Sequence, residues 1–214
     1  MAALRFFHAQ RTPAQIGRWF FKLERVDRQT VLELLAKNPI IASVKDEAGL
    51  SAALDSDVPV IFLLFGDIVT VGMLTRRAHA AGKAVFVHMD LVEGLASREV
   101  SVDFIAHGTV ADGVLSTKAG LTRRAKELGL VSVQRFFLLD SMALENIQKH
   151  HAQDTSDLIE VLPGLMPKII HQVMETVDKP VIAGGLIREK EDVTAALAAG
   201  AVAVSATSPD VWAM

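Results

Sequence analysis

The sequence predicts an α/β protein, a single (β/α)8 TIM-barrel-like domain with an N-terminal extension. Three observations predict it. From Pro39 onward, short β-branched apolar runs alternate with segments of helical periodicity. The runs number eight, the strand count of that barrel. One stretch also repeats: "TRRAHAAGKAVFVH" (75–88) aligns without gaps on "TRRAKELGLVSVQR" (122–135), an offset of 47 residues, or two βα units.

Residues 1–36 come first and hold six Lys/Arg (Arg5, Arg11, Arg18, Lys22, Arg25, Arg28) against three acids (Glu24, Asp27, Glu33). A local charge of +3 therefore precedes −6 over the rest. Phe6, Phe7, Trp19, Phe20 and Phe21 stand among these arginines. The arm reads either as a solvated amphipathic segment or as a stacking and charge surface for single-stranded RNA. A helix over "RQTVLELLAKN" (28–38) follows, placed to cover what a short last helix leaves exposed. The division is thus an extension with its covering helix, 1–38, and a barrel, 39–214.

The strands are "PIIASV" (39–44), "PVIFLLF" (59–65), "AVFVHM" (84–89) and "DGVLS" (112–116), then "LVSVQRF" (130–136), "LIEVL" (158–162), "PVIAG" (180–184) and "AVAVSA" (201–206). Such continuous apolar strands belong to a parallel sheet covered by helices. Functional groups then gather where strands end. Those positions hold Lys45, Asp67, His88, Asp90, Ser116, Lys118, Gln134, Arg135, Glu160 and Gly164, which together line an expected ligand pocket.

A phosphate cup is expected after the last two strands. Gly184 and Gly185 let backbone N–H groups approach a ligand, since no Cβ intervenes. In "SATSPDVW", Ser205 and Thr207 precede Ser208 as an N-cap and Pro209 at the first helical position. The free N–H groups of that helix would face the same anion.

Composition narrows the chemistry. There are no cysteines, which removes disulfides, zinc–thiolate sites and thiol nucleophiles. No apolar run approaches the roughly 20 residues of a spanning helix, and no signal peptide is apparent, so a cytoplasmic protein is expected. No metal-binding pair stands out; acidic groups could hold Mg²⁺, but nothing demands it. On residues alone two classes stay open. An isomerase, epimerase or aldolase would use His88, Asp90 or Glu160 as base and Lys45 as electrophile. A sensor would use the same cup without turnover.

Several segments resemble one family. They are "VHMDLVEGL" (87–95), "ADGVLSTK" (111–118), "QRFFLLDSMALENI" (134–147), "IEVLPGLMPKII" (159–170), "VIAGGLIREKEDV" (181–193) and "AGAVAVSATSPDVW" (199–212). Together they resemble the glycerol-3-phosphate-responsive antiterminator family, bacterial regulators of glycerol-uptake operons. The resemblance implies a barrel that binds glycerol 3-phosphate as effector, then leader mRNA, with no cofactor and no catalytic residue. It implies that Gly184, Gly185, Ser205 and Thr207 hold the phosphate, with Lys118 and Arg135 supplementing the charge or turning to RNA. The paired outer arginines Arg76, Arg77, Arg123 and Arg124 are further candidates for RNA contact. Homo-oligomer formation is left open, and the basic–aromatic arm is extra to the family pattern.

Overall fold

The computed structural model describes residues 25–214. The aromatic–basic arm, with Phe6, Phe7, Trp19, Phe20 and Phe21, lies outside the described residues. In chain order the first elements are α1 (Arg28–Lys37), β1 (Ile40–Val44), α2 (Glu47–Asp55), β2 (Val60–Leu63), α3 (Val71–Ala80) and β3 (Ala84–His88). Next come α4 (Glu99–Gly108), β4 (Gly113–Ser116), α5 (Ala119–Glu127), β5 (Val131–Phe137) and α6 (Ser141–Ala152). The chain ends with β6 (Leu158–Leu162), α7 (Pro167–Thr176), β7 (Val181–Gly184), α8 (Lys190–Ala198), β8 (Ala203–Ala206) and α9 (Pro209–Trp212).

All eight apolar runs form strands, paired in parallel in the order β1 to β8 and closed by β8 on β1. Alternation along each strand divides the interior in two. Ile41, Phe62, Phe86, Leu115, Val133, Leu158, Ile182 and Ala203 form one cluster within the ring. Phe62 and Phe86 meet there at 5.5 Å between ring centroids. Their sequence neighbours, such as Ala42, Ile61, Val85, Val114 and Ile159, pack outward with the helices. The repeated stretch is α3–β3 against α5–β5, each helix stopped by a glycine of positive φ, Gly82 at 73° and Gly129 at 75°.

The extension's helix packs elsewhere than expected. Val31 and Leu35 of α1 are buried in the same cluster as Ile41, Val60, Ala84, Val131 and Leu158, at the strands' N-terminal ends. The helix therefore plugs the floor of the barrel rather than its flank. Each of those two side chains contributes about 2 kcal/mol by burial. The approach to α1 is clamped by the fully buried Asp112, which accepts from the Val26 N–H at 2.9 Å and the Val85 N–H at 2.8 Å. At the flank, α9 is short but sufficient: Val211 and Trp212 are buried, and the Trp212 indole donates to the Ala206 carbonyl at 2.9 Å. Among the described residues no helix is long and apolar enough to cross a membrane.

Candidate functional site

The C-terminal mouth of the barrel has a charged floor. On β5 the parity that points Val131 and Val133 inward also points Arg135 inward, and on β6 it does the same for Glu160 above Leu158. Arg135 Nε donates to Glu160 Oε2 at 2.6 Å, and Ser205 Oγ donates to Glu160 Oε1 at 2.6 Å. Glu160 is fully buried, so this pair and hydroxyl replace the water it would otherwise hold. Gly184 lies over the join. A Cβ there would sit 2.5 Å from Ser205 Oγ and 2.7 Å from Glu160 Oε1. Its lack of a side chain therefore serves this network first.

Above the floor is a cavity of about 530 Å³. Its walls are the loop after β7 (Gly185, Leu186, Ile187, Arg188, Glu189), the end of β8 and start of α9 (Ser205, Ala206, Thr207, Ser208, Asp210) and Ser43, Leu64, Arg135 and Leu162. Gly185 and Leu186 both have positive φ, 76° and 63°, which folds the loop sharply at the cavity edge. For leucine this conformation costs about 1 kcal/mol. The N–H groups of Gly185, Leu186, Ile187, Thr207 and Ser208 donate to no described residue. Ser208 is the N-cap of α9 and Pro209 follows, but the Ser208 side chain makes no capping bond. Neither the Nη groups of Arg135 nor the side chain of Arg188 bonds any described residue beyond the Arg135–Glu160 contact. Unclaimed donors on two loops and two guanidinium groups suit a small anion.

A second group stands beside this cavity. His88 Nδ1 accepts from the Asp90 N–H at 3.2 Å, which puts the neutral ring's proton on Nε2. Burial, then the nearby Arg135 charge, lower the His88 pKa to about 4, against the opposing pull of Asp90. Partial burial acts to raise the Asp90 carboxyl, but the Thr117 N–H, the Ser116 hydroxyl, His88 and the Thr117 hydroxyl outweigh it and hold it below its ordinary range. Lys118 Nζ lies 3.5 Å from Asp90 Oδ1 and also donates to the Ser97 hydroxyl. Ser116 and Asp90 are thus spent on shaping the start of α5.

Four expected pocket residues are placed elsewhere. Gln134 neighbours Arg135 on β5 and so must face outward; it accepts from the Thr122 hydroxyl of α5 at 2.8 Å, fully buried. The Asp67 carboxylate accepts from the Val69 and Thr70 N–H groups, both at 2.8 Å, in the turn that starts α3. The Thr70 N–H and hydroxyl, with the Val69 N–H, keep that carboxyl below its usual pKa. Gly164 is buried, its N–H bonded to the Gly184 carbonyl, and a Cβ would meet Ala183 and Gly184 at 3.1 Å, so it serves strand packing. Lys45 lines a separate cleft of about 330 Å³ with Asp46, Gly49, Pro209 and Trp212. Conversely, Arg188 and Leu186 line the cavity without having been singled out as site residues in the sequence, whereas Ser43, which also lines it, stands at a strand end where function is expected. Arg188 sits two residues past the positive-φ turn, where no periodicity marks it.

Of the outer arginines, Arg77 pairs with Glu47 at 2.6 Å. Arg124 is held by Asp103 at 2.8 Å and Glu127 at 2.9 Å, and these bonds raise its pKa. Arg76 and Arg123 are exposed and pair with no described acid. Among the described residues no cluster of three His, Asp or Glu could hold a metal.

Fold and site together define a parallel (β/α)8 barrel with a cavity at the C-terminal mouth. The chain belongs to the glycerol-3-phosphate responsive antiterminator family, whose model matches residues 40–212. It is 43% identical over 182 residues to the uncharacterized protein YgcP of Escherichia coli (strain K12), covering 85% of this chain and 95% of that one. Its structure is similar to a glycerol uptake operon antiterminator regulatory protein from Listeria monocytogenes, with 31% identity, TM-score 0.79 and coverage of 82% and 95%. It is also similar to a glycerol uptake operon antiterminator-related protein from Thermotoga maritima, with 33% identity, TM-score 0.73 and coverage of 82% and 98%. A deoxyribose phosphate aldolase from Aeropyrum pernix, 15% identical with TM-score 0.62, shares the fold.

Proposed function

We propose that this chain is a cytoplasmic transcription antiterminator that binds glycerol 3-phosphate in the mouth cavity and, once loaded, binds leader mRNA and prevents termination. The observation that carries the effector is the set of unclaimed donors around the cavity. Five residues with unclaimed backbone N–H groups, together with Arg135 and Arg188, line a space of about 530 Å³. A phosphoryl group satisfies such donors, and a short polyol fits the remaining polar wall. Gly185, Thr207 and Ser208 hold the phosphate, joined by Arg188. Gly184 and Ser205 shape the floor beneath it.

The regulatory half follows from family membership and from linkage. An effector shifts an equilibrium only by its differential affinity for the two states. The loop from Gly185 to Glu189 is the element it would order, since that loop carries both the donors and the exposed Leu186. Arg76 and Arg123, exposed at equivalent positions on α3 and α5, are the two of the four outer arginines that pair with no described acid, and they would meet phosphates of RNA.

The test is titration of labelled leader RNA with and without glycerol 3-phosphate at several salt concentrations. Tighter binding with the effector, weakening steeply as salt rises, is expected. RNA affinity unchanged by the effector sinks the sensor reading. The effector should be recovered intact after hours; turnover abolished by His88→Ala would move the protein to the isomerase, epimerase or aldolase class.

A further inference from the structure

We propose that Ser205 reads the ligand's secondary hydroxyl, on the carbon next to the phosphorylated one, rather than its phosphoryl group, so that the site selects a phosphorylated alcohol over the matching ketone. This rests on the cavity being a phosphate-monoester site, and it assigns which ligand atoms meet which wall.

A serine hydroxyl has one proton to give. Ser205 gives it to Glu160 Oε1 at 2.6 Å, the short distance of a hydrogen bond to a charged acceptor. Glu160 cannot turn away, because Arg135 Nε holds its other oxygen at 2.6 Å and the residue is fully buried. Register holds Ser205 opposite Gly184, whose missing Cβ leaves room for the contact. What Ser205 presents to the cavity is therefore its lone pairs. A phosphoryl dianion is acceptor-only, and two acceptors face to face repel. The phosphoryl group belongs with the N–H groups of Gly185, Leu186, Thr207 and Ser208 and with Arg188.

Beside Ser205, Arg135 lines the same cavity, and with its Nε given to Glu160 it keeps its Nη donors for a ligand. Both groups hang from the two oxygens of one carboxylate, so the floor offers one acceptor next to a fork of donors. A hydroxyl fits both, donating to Ser205 and accepting from Arg135. A ketone oxygen accepts from Arg135 but leaves Ser205 facing another lone pair. One such unmet buried contact weakens binding on the order of 10-fold or more.

The experiment is calorimetric titration of the full chain with glycerol 3-phosphate, dihydroxyacetone phosphate and inorganic phosphate. The alcohol should bind about 10-fold tighter than the ketone. Ser205→Ala should weaken the alcohol, spare the ketone and bring the ratio towards one. Equal affinity of alcohol and ketone for the wild type overturns the assignment while the phosphate cavity stands. No binding by either organic phosphate overturns both. A ratio that survives Ser205→Ala places discrimination elsewhere and also overturns it. Should the variant not fold, the wild-type ratio decides alone.

Discussion

Replacing Gly184 by alanine tests the floor of the site most directly. The new Cβ would lie 2.5 Å from Ser205 Oγ, 2.7 Å from Glu160 Oε1 and 3.3 Å from Glu160 Cδ. Something must move by more than half an ångström, and nothing nearby is free to do so. Ser205 is fixed by strand register, and Glu160 by Arg135. If the Ser205–Glu160 bond breaks, about 1.5–3 kcal/mol is lost, as is usual for a hydrogen bond to a charged group. Overpacking without rupture costs about 1–3 kcal/mol, so the two routes are alternatives rather than a sum. Reduced freedom of the unfolded chain returns about 0.4–1 kcal/mol. The net expectation is a loss of about 0.5–2.5 kcal/mol, or roughly 1–10 °C in melting temperature for a domain of this size. Urea unfolding followed by circular dichroism measures it. Gly120→Ala on α5 is the reference, since its Cβ would meet nothing within 4 Å. That variant should be neutral or stabilised by up to about 1 kcal/mol. If Gly184→Ala matches Gly120→Ala in midpoint and slope, the packing argument is wrong.

Three further outcomes are expected. Because the folded His88 pKa is depressed to about 4, the unfolded chain binds the extra proton first as pH falls. Its contribution, about 3 kcal/mol at most, is present above pH ~6.5 and lost between there and pH ~4; His88→Asn should flatten that part of a stability–pH curve. Glu160→Ala leaves the Arg135 charge buried without its partner and should cost about 3–5 kcal/mol, whereas Glu160→Met with Arg135→Met should recover much of it in equilibrium unfolding. Asp112→Ala removes the acceptor of the Val26 and Val85 N–H groups and should destabilise by about 2–4 kcal/mol. Hydrogen exchange at Val26 should rise at the same time, and unchanged protection there would contradict the clamp.

The strands were legible because a parallel barrel buries both faces of each strand, so every strand is a continuous apolar run. The same property hid which polar residue faces the axis. At the end of β5, Gln134 and Arg135 are adjacent, and period two admits only one of them to the mouth. The parity becomes visible only once Val131 and Val133 are seen to lie inside. Asp67 and Gly164 stand where strand ends predict function, yet local geometry uses one as a turn acceptor and the other as a spacer. Arg188 was missed because a loop has no period. The role of α1 was misjudged for a related reason: Val31 and Leu35 mark a buried stripe, but a stripe does not say whether it faces the flank or the floor.

Every pairing in the sheet but one joins strands consecutive in the chain; the exception is β8 on β1, which matches Ile40 to Val204 and Ile41 to Ser205. The cavity lies across that seam, with Ser43 on one lip and Thr207 on the other. Joining the ends of so long a loop is the costliest closure in the molecule and depends on the last strand being present. An occupant of the cavity would touch both ends of the barrel and so act as a clasp between them.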